Sequence, residues 1–197
     1  MKSTIPPEQM EQFEELKQTQ KKLAEQWIDY WREYSSFDTW QFWFNAAMIV
    51  LPLIILYFTI DRKRIFLLGF YGFNIHVWGA YLDALVTRYN YIGYPYKAIP
   101  FLPFNVSIDT SFAPVLFILI YQWTLEKKKN FYLYTLFLIC FLAFLFRPLS
   151  VAHNLFLLGK GANYVHLFFG YIVIVLISKG ITNLFLYMKN HPIAFHK

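Results

Sequence analysis

The chain has 197 residues, of which 57% are hydrophobic, 22% aromatic and only 15% charged, against about 25% charged in an ordinary soluble domain. That composition excludes a soluble globular enzyme and a disordered chain, and a single cysteine, Cys140, excludes a disulfide scaffold or a cysteine-type zinc site. The net charge of +6 comes from basic residues set between apolar runs, not gathered on one soluble face, so the chain reads as a multi-pass membrane protein with no nucleic-acid module.

Residues 1–37 differ from the rest. Five bases (Lys2, Lys17, Lys21, Lys22, Arg32) and seven acids (Glu8, Glu11, Glu14, Glu15, Glu25, Asp29, Glu33) give this tail a charge of −2, which leaves +8 for residues 38–197. No basic stretch leads into a short apolar one, so no cleavable signal peptide is expected. Pro6-Pro7 followed by Glu8 and Glu11 predicts a helix start. Met10, Phe13, Leu16, Leu23, Trp27, Trp31 and Tyr34 recur near helical spacing, with Gln18-Thr19-Gln20 breaking the stripe. Two readings follow: an amphipathic helix lying on the bilayer or on the protein's own core, or a helix for docking and self-association. A polybasic anchor is disfavoured because acids outnumber bases.

Five apolar segments follow, over 39–60, 65–87, 108–125, 130–153 and 163–187. A spanning helix needs about 20 mostly apolar residues, and strands of a barrel would alternate over about ten. The predicted fold class is therefore an all-α integral membrane protein, a bundle of five transmembrane helices after an N-terminal amphipathic helix. The third segment reaches full length only if it starts near Ser107. Trp40, Trp43, Tyr89, Tyr91, Trp123, Tyr132, Tyr164 and Tyr187 mark segment ends, as interfacial aromatics do. With five spans, Arg62, Lys63, Arg64, Lys127, Lys128, Lys129, Lys189 and Lys197 share one side, and only Arg88, Lys97 and Lys160 lie in the loops opposite. The positive-inside rule then predicts a cytoplasmic C-terminus and an N-terminal helix outside.

Ionisable residues within spans are costly and mark function by default. Gly69, Gly72, His76, Gly79, Ala80 and Asp83 share one face of span two, where small residues permit close helix approach. Span four carries Arg147-Pro148, with Ser150 and Asn154 on the same face and His153 adjacent. The proline predicts a kink, and Arg147 is read either as snorkelling or as paired with Asp83 or Asp109. Span five opens with Asn163, His166 and Gly170 on one face, and Lys179, deeper, is explained by snorkelling. Asp83, Asp109, Arg147, His153 and His166 thus come from different segments at similar depth on the outer side. Residues 89–105 hold three prolines and several aromatics and predict a cap folded on the bundle, with Tyr94, Tyr96 and Lys97 as its lid. Ser107 or Asp109 is expected to cap the third span, Asp109 being alternatively a pocket carboxylate. No phosphate loop, dinucleotide fingerprint, nucleophile elbow, zinc-protease or CxxC motif occurs. Only His153, His166, Asp83 and Asp109 could serve a metal, so neither metal nor cofactor is expected.

The run Tyr94-Pro95-Tyr96-Lys97-Ala98-Ile99-Pro100, with Asp109-x-Ser111-x-x-Pro114-Val115 and Tyr121-Gln122 after it, resembles a family of small, uncharacterised multi-pass membrane proteins of spore-forming Gram-positive bacteria. The polar N-terminal helix, the basic patch after span one and the Asp ending span two match as well. The likeness covers most of the chain from residue 38. Members of that family often carry an acidic residue before the proline of span four, where this chain has Arg147. The resemblance implies a bacterial plasma-membrane location and supplies no activity. A looser likeness, to lycopene-cyclase-type membrane enzymes, rests on the span-end Asp and the aromatic-Pro loop and lacks their acidic pair.

The leading expectation is a membrane protein that binds a lipid-like or hydrophobic small molecule in an outer-side polar pocket. Its ligand-binding residues would be Asp83, Asp109, Arg147, His153 and His166, lidded by Tyr94, Tyr96 and Lys97. A scaffold or complex subunit docking through residues 1–37 is the first alternative. A prenyl- or lipid-modifying enzyme with Asp83 or Asp109 as acid is the second, and a transporter the third. Expected partners are membrane lipid, a hydrophobic small molecule, and a protein partner or a second copy, with no nucleic acid.

Overall fold

The computed structural model describes residues 5–191. Lys2 and Lys197, counted above, and the C-terminal end lie outside the described residues.

Among the described residues, six helices make up the fold. They are α1 (Pro7–Tyr34), α2 (Trp40–Thr59), α3 (Ile65–Arg88), α4 (Ser107–Glu126), α5 (Phe131–Ala152) and α6 (Tyr164–Asn190). The last five are long and apolar enough to cross a membrane, and the third starts at Ser107, as its length requires. This is an all-α, multi-pass membrane protein. Large apolar side chains such as Phe58, Phe66 and Phe137 point outward at 78%, 91% and 62% exposure, which only a lipid environment tolerates on this scale. The spans alternate in direction. Arg62–Arg64, Lys127–Lys129 and Lys189 therefore gather at one end, called here the basic face, and the loops 89–106 and 153–163 gather at the other, the loop face.

Helix α4 is the core of the bundle: 56% of its span window is buried, against 22–33% for the other four. Tyr71, Tyr121, Phe117, Leu68 and Leu142 are fully enclosed around it. Gly72 of α3 lets α4 close in, because a Cβ there would meet Ile118 Cδ1 at 2.2 Å. Ser111 Oγ donates to the Ile49 carbonyl at 2.6 Å and fastens α4 to α2. Gln122 pins the α2–α3 turn by accepting from the Asp61 amide (2.9 Å) and donating to the Thr59 carbonyl (3.0 Å).

Two spans contain a widened π turn, Ser107–Phe112 in α4 and Leu142–Phe146 in α5. Each ends two residues before a proline, Pro114 or Pro148. A proline has no N–H and its ring clashes with the carbonyl of the preceding turn, and an extra residue in that turn relieves both problems. The kink expected at Pro148 thus takes the form of a π turn. The cap of α4 is also other than expected. Neither Ser107 nor Asp109 caps it; Asn105 Oδ1 accepts from the Ser107 amide at 3.0 Å, which frees Asp109 to face inward.

On the loop face a two-stranded antiparallel ribbon joins Ile92–Gly93 to Leu157–Leu158, and the Gly159 amide extends it by donating to the Tyr91 carbonyl at 2.8 Å. Gly159 is required there, since a Cβ would lie 1.9 Å from the Asn90 oxygen. Gly161 turns the chain at φ +87°, a region that favours glycine. Helix α1 forms as predicted, with Pro7 in its first turn, but none of its residues is buried. It meets the loop face only through its C-terminal end. Trp31 Nε1 donates to the Lys97 carbonyl at 2.8 Å, Ser35 Oγ accepts from the Lys97 amide at 2.9 Å, and Lys97 Nζ lies 5.2 Å from the Trp27 ring centroid.

Candidate functional site

Close helix packing at the basic face gives way, near the loop face, to a cavity of about 430 Å³ between α3 and α6. Ligand pockets run from roughly 300 to 1,000 Å³. Small residues open it: Gly79 on α3, Gly161 and Ala162 before α6, and Gly170 on α6. Leu82, Val86, Leu167 and Ile174 give it apolar walls, and Tyr91 and Ile92 of the loop ribbon form part of its mouth. Two carboxyls and a guanidinium reach it from three helices: Asp83 near the end of α3, Asp109 in the π turn of α4, and Arg147 directly after the π turn of α5. The widened turns are what aim Asp109 and Arg147 inward, at 8% and 4% exposure.

The partners of these groups are unequal. Asp83 is well held: Oδ1 accepts from Thr87 Oγ1 at 2.9 Å, and Oδ2 accepts a short hydrogen bond from the Tyr94 hydroxyl. Tyr94 lies outside the spans, and burial first, then Asp83, pushes its phenol well above the usual range. It therefore stays protonated and remains a donor. Arg147 Nε donates to Tyr171 Oη at 3.1 Å. Its guanidinium carbon sits 4.4 Å from the Phe156 ring centroid and 5.9 Å from that of Tyr94, a cation–π arrangement. Buried Arg147 Nη1 has no hydrogen-bond partner among the described residues, whereas the Asp109 carboxyl is set against that of Asp83. The expected pairing of Arg147 with a carboxylate is not formed as a direct ion pair; the ion pairs of the described residues lie within α1 and between Arg64 and Asp61. The carboxylates act on the guanidinium through space, within the site.

The histidines take different places. His166 lines the cavity at its exposed rim, where its ring Nδ1 accepts from the Asn163 amide at 3.3 Å in a capping box with the Asn163 side chain. That leaves the proton of a neutral ring on Nε2. His153 is not brought to the cavity: it ends α5, exposed, with its ring edge-on to Trp40. His76, on the α3 face, lies 2.9 Å through Nδ1 from the Asp109 carbonyl oxygen. A carbonyl only accepts, so His76 carries its proton on Nδ1 and steadies the π turn.

Of the expected lid residues, Tyr94 reaches the site through Asp83. Tyr96 and Lys97 do not line the cavity. The Tyr96 carbonyl accepts from Asn45 Nδ2 at 3.4 Å, and Lys97 Nζ donates to the Leu102 and Pro103 carbonyls at 3.0 and 3.2 Å. Burial lowers the Lys97 ammonium pKa, with Asp83 opposing. Lys97 thus braces the loop against α1. The residues missed from sequence are Tyr171, Tyr91 and Ile92. Tyr171 follows Gly170 on the α6 face already singled out, and a reading one position wider would have included it. The ribbon depends on pairing between distant loops, which leaves no local signal.

Among the described residues no three of His, Cys, Asp and Glu approach closely enough to hold a metal ion. What the site offers is one charged donor without a partner and a pair of facing carboxyls, beside an apolar cavity. No protein-family model, curated protein or solved structure matches this chain, so the class of the molecule rests on its own fold and site.

Proposed function

We propose that this membrane protein binds one lipid-like or hydrophobic small molecule in the cavity between α3 and α6. The observation that carries this reading is the pairing of an apolar cavity with a buried charged donor that lacks a partner among the described residues, Arg147 Nη1. An unmatched buried charged group is expensive, and a ligand that supplies its missing hydrogen bond recovers that cost. The positive-inside rule, applied to the basic face, supports a cytoplasmic position for that face. The cavity and α1 would then face outward. The sequence resemblance supports the plasma membrane of a bacterium.

The test is native mass spectrometry of the full chain released gently from its membrane. One small molecule per chain is expected, lost in Gly170→Leu, which fills the cavity, and kept in Gly69→Leu, where the added side chain meets open space. A chain that never carries a stoichiometric adduct would sink this reading.

A second reading, a scaffold or complex subunit, is favoured by α1. Phe13, Leu16, Leu23, Trp27, Tyr30 and Tyr34 are all exposed along it. Removing residues 1–26 spares its contacts through Trp31 and Ser35. If α1 docks a partner or a second copy, assemblies seen with the full chain disappear while the cavity adduct persists.

A further inference from the structure

Helix α1 carries a site of another kind along its outer side. Phe13, Leu16, Gln20, Leu23, Trp27, Tyr30 and Tyr34 follow one another at steps of three, four, three, four, three and four. That is the 3.5-residue repeat of a coiled coil, whose first and fourth heptad places form a narrow seam against a partner helix. The six apolar members are all exposed, at 38–69%. We propose that α1 pairs with α1 of a second copy of this chain in a parallel two-stranded coiled coil; this rests on the docking role given to α1 and commits it to one partner.

The bundle leaves the seam open. Its hydrogen bonds to α1 run through Trp31 and Ser35, about a quarter turn round the helix from the seam. Trp27 and Tyr30 lean on the 89–105 loop by one edge and stay exposed. A bilayer is a poor cover for the rest. A helix lying in an interface has a wide apolar face and a basic polar one. This seam takes two places in seven, and Pro7–Tyr34 has seven acids against four bases. A second copy suits it better. Nine of those eleven charges lie off the seam and off the places beside it; Lys17 and Glu33, which flank it, meet no like charge in a parallel pair. Gln20 would then face Gln20 of the second copy, where the two amides can exchange a hydrogen bond. One polar seam residue of this sort fixes register. An antiparallel pair with aligned seams would set Gln20 against Leu23 instead. About 100 Å² of each apolar seam side chain is open, so pairing buries about 1,200 Å² in all, the lower end of a stable interface.

The experiment uses the full chain in lipid vesicles, with Cys140→Ser so that an introduced cysteine stands alone. Under mild oxidation Leu16→Cys and Leu23→Cys should give covalent dimers. Gln18→Cys, on the far side of the helix, should link at least roughly tenfold more slowly, because a disulfide needs Cβ atoms about 4 Å apart. In native mass spectrometry the unaltered chain should be a dimer and Leu23→Glu a monomer. An equal mixture of Leu23→Glu and Leu23→Lys should be a dimer again, which also shows that neither variant is misfolded. A monomeric unaltered chain, a dimer indifferent to Leu23→Glu, or equal linking at positions 16 and 18 overturns the proposal. So does a chain with Leu16→Cys and Trp27→Cys that links when Leu16→Cys alone does not, since that marks an antiparallel pair. If the unaltered chain is monomeric yet larger assemblies still vanish on removal of residues 1–26, α1 docks a different protein and only the second copy falls. If that removal changes nothing, the docking role falls as well. The cavity adduct should be indifferent to every one of these changes, since no seam residue lines the cavity.

Discussion

Among the described residues, Lys179 and Arg147 carry their charges from spanning helices toward the interior of the bundle, and they are treated differently. In the half near the basic face, Lys179 donates to Tyr121 Oη at 2.7 Å and lies 4.1 Å and 5.2 Å from the Tyr121 and Phe131 ring centroids. Tyr71 packs edge-on to both rings. Tyr71, Thr135 and Ser178 leave hydroxyls unpartnered in that half, but these are neutral groups with a smaller desolvation cost. In the half near the loop face, Arg147 has aromatic cover and one hydrogen bond, yet one nitrogen is left over beside an open space and two carboxyls. The lysine is accounted for by the protein alone. The arginine is accounted for only in part, and that difference separates a packing cation from a binding one.

The comparison breaks most visibly if both cations are replaced by an apolar side chain of similar length. Lys179→Met removes the partner of Tyr121 Oη and should lower thermal stability in detergent by about 1–3 kcal/mol. Arg147→Met removes a buried charge lacking a direct ion pair. It also strips the carboxyls of Asp83 and Asp109 of their counter-charge and Tyr171 of its donor, so it should cost about 3–5 kcal/mol in the ligand-free protein, while ligand retention falls. Parallel melting curves for the two variants, with and without added lipid, check this. An Arg147→Met loss no larger than that of Lys179→Met, with ligand retention unchanged, would show that Arg147 is a packing cation like Lys179.

The loop-face half should also depend on its ties. Tyr94→Phe removes a donor to a buried carboxyl and should cost about 1.5–3 kcal/mol. It should also loosen the loop carrying Tyr91 and Ile92, which hydrogen exchange across residues 89–105 would register. Gly159→Ala drives a Cβ toward backbone atoms that cannot swing away; overpacking of this kind costs about 1–3 kcal/mol, and protection should be lost at both ribbon strands together. A cavity mouth held by these two contacts should bind its ligand more weakly in either variant.

Hydropathy and length made the five spans legible, because a bilayer demands long apolar helices whatever their neighbours do. Asp83, Asp109 and Arg147 could be placed at one depth because helix rise is fixed and the spans alternate in direction. Their local setting could not be read. Asp109 was expected as a cap because Ser107-x-Asp109 resembles one, and it turns inward because Asn105 does the capping and a π turn precedes Pro114. Arg147 and the carboxyls looked like a pair, and the described structure sets a cavity among them. Lys97, in a loop rich in aromatics, looked like a lid and instead braces α1. Each of these differences comes from a contact between residues far apart in the chain, which no local pattern records.

Helix α1 sharpens the comparison at its weakest point. It carries an exposed apolar stripe, yet its anchorage is a few contacts around Lys97 and the packing of Trp31 on Phe37 and Phe42. Trp31→Phe keeps the ring and deletes one hydrogen bond, so it should cost only about 0.5–1.5 kcal/mol, and the melting of the bundle should hardly move. The larger change should be in α1 itself. A spin-label pair spanning α1 and the 89–105 loop should show a broadened distance distribution, and α1 should be cut faster by protease. If α1 rests on a partner or on a second copy, that partner should suppress both changes, because it supplies the contacts that Trp31 alone cannot. If it rests on the bilayer, the suppression should come from lipid vesicles with no second protein present. The same small substitution thereby tells what covers the exposed stripe, a question kept separate from the cavity because Trp31 touches none of its walls.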